Sequence, residues 1–555
     1  MTTNIEENIQ KDNTRVLILS GSSIPNEMEK IIGKLPSGLI PINGVPVIFR
    51  TINNLISKDY SKISIAVGYK KEKIMKVLKK KYNDQINFEF IDIDQKLAAG
   101  NSIIESVKKT KEKHLLVILG FTVIERKTLQ NKNFKKDFVL STSNFLNSKK
   151  WCVVKVKEKK IEAIYEKEKG IEASSNFQAL IGVYFFKDVN ILKKIIKNNH
   201  NKNKIQISEL LNEYKKNKPI SVIKTEDWFD AGQKNNYFKS KKNMFPSRFF
   251  NFISLDGKNG IVTKKSIDKN KLKSEISWYK LIPKKIKLKT PKIILINQKE
   301  PSITMEYVQL PTLSEIWLYS EINSKNGIKM LKEIEKIVDE FRMEKHNVSK
   351  NDYFQIYIKK TDKRINELLR KNSKFKKIFN ENEIIINNKI YKNWKNIRKE
   401  VIVLSESLFN KNDNCLIHGD LCFSNILYDL KNNQHKLIDP RGKWGTSIFG
   451  DIKYDVAKIR HSLIGGYDSI NNGLFSIKYE KNEINFDVYK PNAYKEVSKR
   501  MDLWISKKWN LNEVKLIEGL LFMSMLPLHQ NNFEKQLVFY SVGIQRLNEV
   551  LFNKV

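Results

Sequence analysis

The stretch Cys415–Asp429, CLIHGDLCFSNILYD, sets a histidine, two aspartates and an asparagine between apolar runs, in a chain otherwise crowded with lysine. It continues as LKNNQHKLIDPRG to Gly442. The apolar CLI predicts a short strand, and the residues after it a loop carrying Asp420 and Asn425. NILY and HKLID predict a hairpin around DLKNNQ that brings a second carboxylate, Asp439, back to that loop.

Phosphoryl transfer from ATP needs such a set. One carboxylate orients an attacking hydroxyl and accepts its proton, while an amide oxygen and a second carboxylate hold magnesium against the phosphates. Asp420 suits the first role, Asn425 and Asp439 the second. Few cations are needed nearby, because the metal supplies positive charge.

Outward from this stretch, 555 residues at about 100 to 200 per domain predict roughly three compact units. A 41% hydrophobic content excludes wholesale disorder. The first residues, MTTNIEENIQKDNTR, contain no apolar core of a signal peptide, and the longest apolar run, Leu115–Ile124, is too short to span a bilayer. A cytoplasmic protein without a transmembrane segment is expected. Cys152, Cys415 and Cys422 form neither a C-x-x-C pair nor a disulfide framework, so no structural zinc is implied. The formal charge of +40 comes from lysines spread over the whole length without an aromatic-interleaved basic motif. That pattern argues against a specific nucleic-acid partner and reads first as lysine-rich solvated faces; the functional reading beside it is attraction of anionic small molecules such as nucleotides, or of an anionic membrane surface.

Residues 1–13 read as a polar tail. Over 14–244, β-rich runs such as RVLILSG and HLLVILG alternate with helical ones, predicting a mostly parallel sheet covered by helices. Residues 245–322 read as a small β-rich lobe around one helical stretch, KLKSEISWYKLI, and 323–555 as a helical lobe interrupted only by the opening stretch and its hairpin.

The spacing His418, Asp420, Asn425 is that of the kinase catalytic loop. The region from Phe245 onward resembles the aminoglycoside phosphotransferase and choline kinase family, whose metal aspartate commonly sits in an I-D-x sequence, here LIDPRG. The resemblance implies a two-lobed protein-kinase-like (α+β) domain using Mg2+ and ATP. It assigns Asp455, in GDIKYDVAKI, to support of the loop, while His418 is expected to be structural. It also requires a strand lysine paired with a helical glutamate. Lys265 of GIVTKKS with Glu275 is the chosen pair, Lys264 being the rival because adjacent strand residues face opposite ways. Gly257–Gly260 are candidates to cover phosphates, and Met305 to Val308 to face adenine.

From Arg15 to Tyr237 the motifs VLILSGSS, LPSGLIPINGVPVIFRTI, LAAGNSI, YEKEKG and WFDAG resemble, in order, those of sugar-phosphate nucleotidyltransferases. This implies a Rossmann-like α/β domain. The family's catalytic residues are not all present: the loop GSSIPNEMEK has no arginine, Ser37 stands where a lysine is usual, and Phe121 where an aspartate is. Asp230 remains a candidate metal ligand and Lys167 a phosphate contact, with Asp227 a substitute carboxylate.

Together the resemblances imply a kinase acting on a hydroxyl of a sugar or amino alcohol, fused to a nucleotidyltransferase-like domain with weakened chemistry, in surface-polysaccharide precursor synthesis. The alternative is a pair that binds nucleotide sugars for regulation or scaffolding. For the acceptor, Trp444, Tyr467 and Trp504 are too scattered to predict an aromatic cage, and His529 is a candidate lining residue.

Overall fold

The computed structural model describes residues 11–82, 85–124, 129, 131–198, 204–244, 251–256 and 259–552. The chain divides into two compact units, Met1–Glu29 with Lys34–Met244, and Lys30–Gly33 with Phe245–Val555.

In the first unit, nine strands form one sheet. Its order is Glu89–Asp92, Ile63–Val67, Thr14–Leu19, His114–Leu119, Phe177–Phe186, Phe138–Thr142, Ser221–Lys224, Lys160–Glu166, Cys152–Lys157. The first four strands are parallel, and the three inside the edge strand Glu89–Asp92 are largely apolar, as strands covered on both faces must be. Helices Val47–Ile56 and Ala99–Lys109 each bury one apolar stripe, Val47, Ile48, Ile52 and Leu55 in one, Ile103, Ile104 and Val107 in the other.

The rest of the sheet corrects the mostly parallel expectation. Phe177–Phe186 runs antiparallel to both neighbours, and Lys160–Glu166 to both of its own, so the sheet is mixed. A strand buried on both faces carries the same apolar run in either direction, which leaves its direction unreadable.

The second unit begins with an antiparallel sheet, in order Asn251–Asp256, Ile261–Ser266, Ser302–Glu306, Ile293–Asn297, and helix Lys269–Leu281. Asp268 caps that helix by accepting the Lys271 N–H. Helices then dominate, from Leu313–Tyr319 to Phe533–Phe552. A second sheet contradicts the expectation of a single interrupting hairpin: Lys389–Lys392, Glu383–Ile386, Glu483–Val488 and Phe475–Glu480 form four strands. Its first hairpin turns on Asn387 and Asn388, both left-handed at φ 49° and 62°, a pair that only the Asn-Asn dipeptide hinted at. Among the described residues, no helix is long and apolar enough to cross a membrane.

Candidate active site

Strand Asn414–Leu416 pairs with Phe449–Asp451 and delivers the chain into the loop that carries Asp420. Asp455, on the first turn of helix Ile452–Leu463, is fully buried and grips this loop, accepting the N–H groups of His418 at 2.6 Å and Gly419 at 2.8 Å. Burial pushes its carboxyl up to about 7 against those two hydrogen bonds. His418 is buried as well, and burial pulls its imidazole down to about 4. The ring packs on Trp278, with Nε2 3.1 Å from the Ile438 carbonyl, and Trp278 donates to the Ile417 carbonyl at 2.8 Å. The ring is thus enclosed by the loop it belongs to and by Trp278, the setting expected of a structural residue.

After the turn Phe423–Asn425, strands Ile426–Asp429 and Gln434–Leu437 form a hairpin, and the Ile438 N–H donates to the Asn425 carbonyl at 3.0 Å. Asp439 thus returns beside the loop. Gly442, at φ 88°, lets the following segment lie against helix Lys269–Leu281; a Cβ there would meet the Ser274 carbonyl carbon at 2.3 Å.

Asp420 keeps 41% of its side chain exposed. Lys458 contacts Oδ1 at 2.9 Å, while the Asn425 amide nitrogen donates to Oδ2 at 3.1 Å and to the Asp420 carbonyl at 2.9 Å. Burial would raise this carboxyl, but Lys458 prevails and holds it at about 2. Lys458 escaped the sequence reading. Its signal was its place in GDIKYDVAKI, one helical turn after Asp455 and on the same face.

The structure seats Lys264, not the chosen Lys265, against Glu275. Lys264 is 7% exposed and contacts Glu275 at 2.7 and 2.9 Å and Asp439 at 2.9 Å. Lys265, one residue on, faces the exposed side of the strand. Two carboxylates hold the Lys264 ammonium protonated, above the ordinary lysine value, although burial opposes them. Burial pushes Glu275 up to about 7, with Lys264 opposing.

Asn425 and Asp439 suit magnesium. The Asn425 nitrogen is engaged by Asp420, so its amide oxygen is the atom that could ligate a cation, and the Asp439 side chain is 35% exposed. Hard oxygen donors in small number, completed by water and phosphate, are what this ion takes. Met305 is buried within strand Ser302–Glu306, and Val308 lies half-buried beyond the strand's end. Of the phosphate-covering candidates, Gly257 and Lys258 lie outside the described residues.

The first unit's candidates do not assemble. Asp230 is 7% exposed and its carboxylate is committed, Oδ1 accepting from Gly232 N at 2.7 Å and Oδ2 from the Asn236 amide at 2.5 Å. Burial raises its pKa. Phe121 packs so near that a Cβ on Gly232 would lie 2.8 Å from its ring. Ser37 is buried and accepts from the Ser22 hydroxyl at 3.1 Å. Lys167 is exposed, 3.8 Å from its neighbour Glu166, and Asp227 is exposed on the segment before Asp230. Among the described residues, no group of three or more His, Cys, Asp or Glu side chains is placed to hold a metal ion.

The aromatic candidates separate too. Trp444 packs on Tyr353 and Tyr357, and Trp504 on Trp509, whereas Tyr467 and His529 both pack on Phe539.

No family model matches the sequence, and no curated protein matches it. Among solved structures, a UDP-glucose pyrophosphorylase complexed with UDP-glucose is similar at 18% identity, covering 42% of this chain and 99% of that one with a TM-score of 0.36. HddC from Yersinia pseudotuberculosis is similar at 19% identity, covering 41% and 98% with a TM-score of 0.34, and its complex with GMP-PN at 18% identity with the same coverage and score. The similarity falls on the N-terminal part.

Proposed function

We propose that the second unit is an ATP-dependent small-molecule kinase. The observation that carries this reading is the convergence of Asp420, Asn425, Asp439 and the Lys264–Glu275 pair on one loop and its hairpin. Asp420 accepts the proton of the acceptor hydroxyl. The acceptor oxygen forms a bond to the γ-phosphorus of ATP, the bond from that phosphorus to the bridging oxygen breaks, and ADP leaves with the electron pair. Lys264, oriented by Glu275, places an ammonium against the nucleotide phosphates. Asn425 and Asp439 would hold magnesium, which when bound neutralises phosphate charge.

The first unit, on this reading, binds a nucleotide or sugar nucleotide and transfers nucleotidyl groups poorly or not at all. Phe121 and Ser37 replace a hard ligand and a cation, and the oxygens of Asp230 are already bonded within the protein. A kinase and a sugar-nucleotide unit on one chain suit the cytoplasmic synthesis of surface-polysaccharide precursors. The test is ADP release by the purified protein with sugars, amino alcohols and glycan precursors, alongside Asp420→Asn. Acceptor-dependent release in the wild type alone is expected, and equal release from both proteins would refute the assignment.

A further inference from the structure

Buried cations in the second unit are, as a rule, matched by carboxylates. Lys453 sits among Asp413, Asp451 and Glu513, Arg460 between Asp502 and Glu518, and Lys264 between Glu275 and Asp439. Three half-buried cations gathered near Asp420 are not so matched. Helix Lys360–Lys371 follows directly on a π-helical segment, Phe354–Lys359, a rare geometry frequent at functional sites. It offers Lys360 and Arg364 on one face. Lys360 Nζ lies 3.2 Å from the Tyr454 hydroxyl, and Arg441, two residues past Asp439, reaches the same hydroxyl at 3.1 Å. Arg364 donates to the Ser524 carbonyl at 3.0 Å.

Lys360, Arg364 and Arg441 are all half-buried, yet among the described residues none of them sits in an ion pair. Of the nearby carboxylates, Asp420 is paired with Lys458 and Glu367 with Lys371. The charges act on one another. Burial, then Arg441 and Arg364, pull Lys360 below the ordinary lysine value, and Lys360, Arg441 and Lys458 pull the Tyr454 phenol down against burial, the sign of a local excess of positive charge that a bound anion would offset. Arg364 and Arg441 are also within electrostatic reach of Asp420. Half-buried cations without counter-charges are costly unless an anion joins them.

We propose that Lys360, Arg364, Arg441 and Tyr454 bind a phosphate monoester on the acceptor, so that the alcohol this chain phosphorylates already carries a phosphate. The inference rests on the kinase reading. Two guanidinium forks, an ammonium and a phenol match the acceptor oxygens of a dianionic phosphate, and the site adjoins the carboxylate that takes the hydroxyl proton. Choline and aminoglycosides, being cations, are excluded by the same charges.

The test has a binding arm and a turnover arm. Calorimetry with inorganic phosphate on the full chain should show binding that weakens about tenfold or more in Arg364→Gln and in Lys360→Gln, with affinity for Mg·ADP unchanged. Lys360→Gln removes a charge that burial disfavours, so it keeps the test available if Arg364→Gln does not fold. Phosphate should bind equally well beside Mg·adenylyl imidodiphosphate; mutual exclusion would make this the γ-phosphate site and overturn the proposal. In turnover, glycerol 3-phosphate, glucose 1-phosphate and glucose 6-phosphate should include a substrate that outperforms its neutral parent alcohol, with the variants raising its KM. A preference for the neutral alcohols, or phosphate affinity untouched by both variants, overturns it. Loss of Mg·ADP binding with phosphate binding intact would refute the kinase reading and leave the anion site standing.

Discussion

Asp420 and Asp230 are both aspartates expected from sequence to serve Mg-assisted chemistry on nucleotides, and the structure treats them in opposite ways. Asp420 is 41% exposed and held ionised by Lys458, with one oxygen also accepting from Asn425. Asp230 is buried, both oxygens bonded to its own segment, and its pKa is raised. A motif supplies a carboxylate in either case. Whether the carboxylate is available depends on whether its lone pairs face solvent or are spent on the protein's own N–H groups.

The sharpest way to break the comparison is Asp420→Asn. It should reduce turnover about 10³-fold with Mg·ADP affinity retained, as loss of a positioned base does. Turnover with saturating ATP and calorimetry with Mg·ADP decide this.

Next comes the buried lysine. Lys264→Met should impair ATP use severely and, by leaving Glu275 buried without its partner, destabilise the fold by about 3 kcal/mol. Lys265→Met should change both within about twofold in KM for ATP and about 0.5 kcal/mol in stability, as exposed sites do. Denaturant unfolding and ATP titration of the two variants measure the contrast, and the reverse ranking would move the nucleotide to the other face of the strand.

A smaller effect concerns pH. The folded-state pKa of Asp420 lies below the ordinary aspartate value, so its stabilisation is present above about pH 4 and lost as the pH falls through about 2. Lys458→Met removes the cause. The Asp420 carboxyl should then titrate at higher pH, and the acid limb of kcat/KM should move upward with it, whereas a purely structural lysine would leave that limb in place. Carboxyl NMR and a pH–rate profile report the two quantities.

The smallest change is expected from Asp230→Asn. Because burial raises the Asp230 pKa, the charged form is disfavoured in the folded state, and stability falls as pH rises from about 4 through the raised value. The variant should lose that dependence, lower stability at neutral pH by no more than about 1 kcal/mol, and leave kinase turnover unchanged; thermal unfolding from pH 4 to 8 checks this. A large loss of nucleotide binding by the first unit in this variant would instead give Asp230 a ligand.

Much was legible in the chain because it is local. Apolar runs of period two and 3.6 set out the alternating first unit, and the spacing from His418 to Asn425, with the hairpin back to Asp439, follows from turn chemistry within 22 residues of sequence. The support of the loop by Asp455 is not local, and it was expected only from the family resemblance of its segment. The direction of Phe177–Phe186 was not legible, since burial on both faces erases the pattern that would tell it.

Tertiary structure alone decided the charges. Lys264 and Lys265 are interchangeable in a sequence, and only the pairing of their strand with its neighbours settles which one turns inward to Glu275. Lys458 meets Asp420, and Lys360 and Arg364 gather beside Arg441 around Tyr454, because separate elements converge there. In a chain with 101 lysines and arginines, composition says that cations abound. Only packing says which of them lose water, and an ion's energy depends on that far more than on its neighbours in sequence.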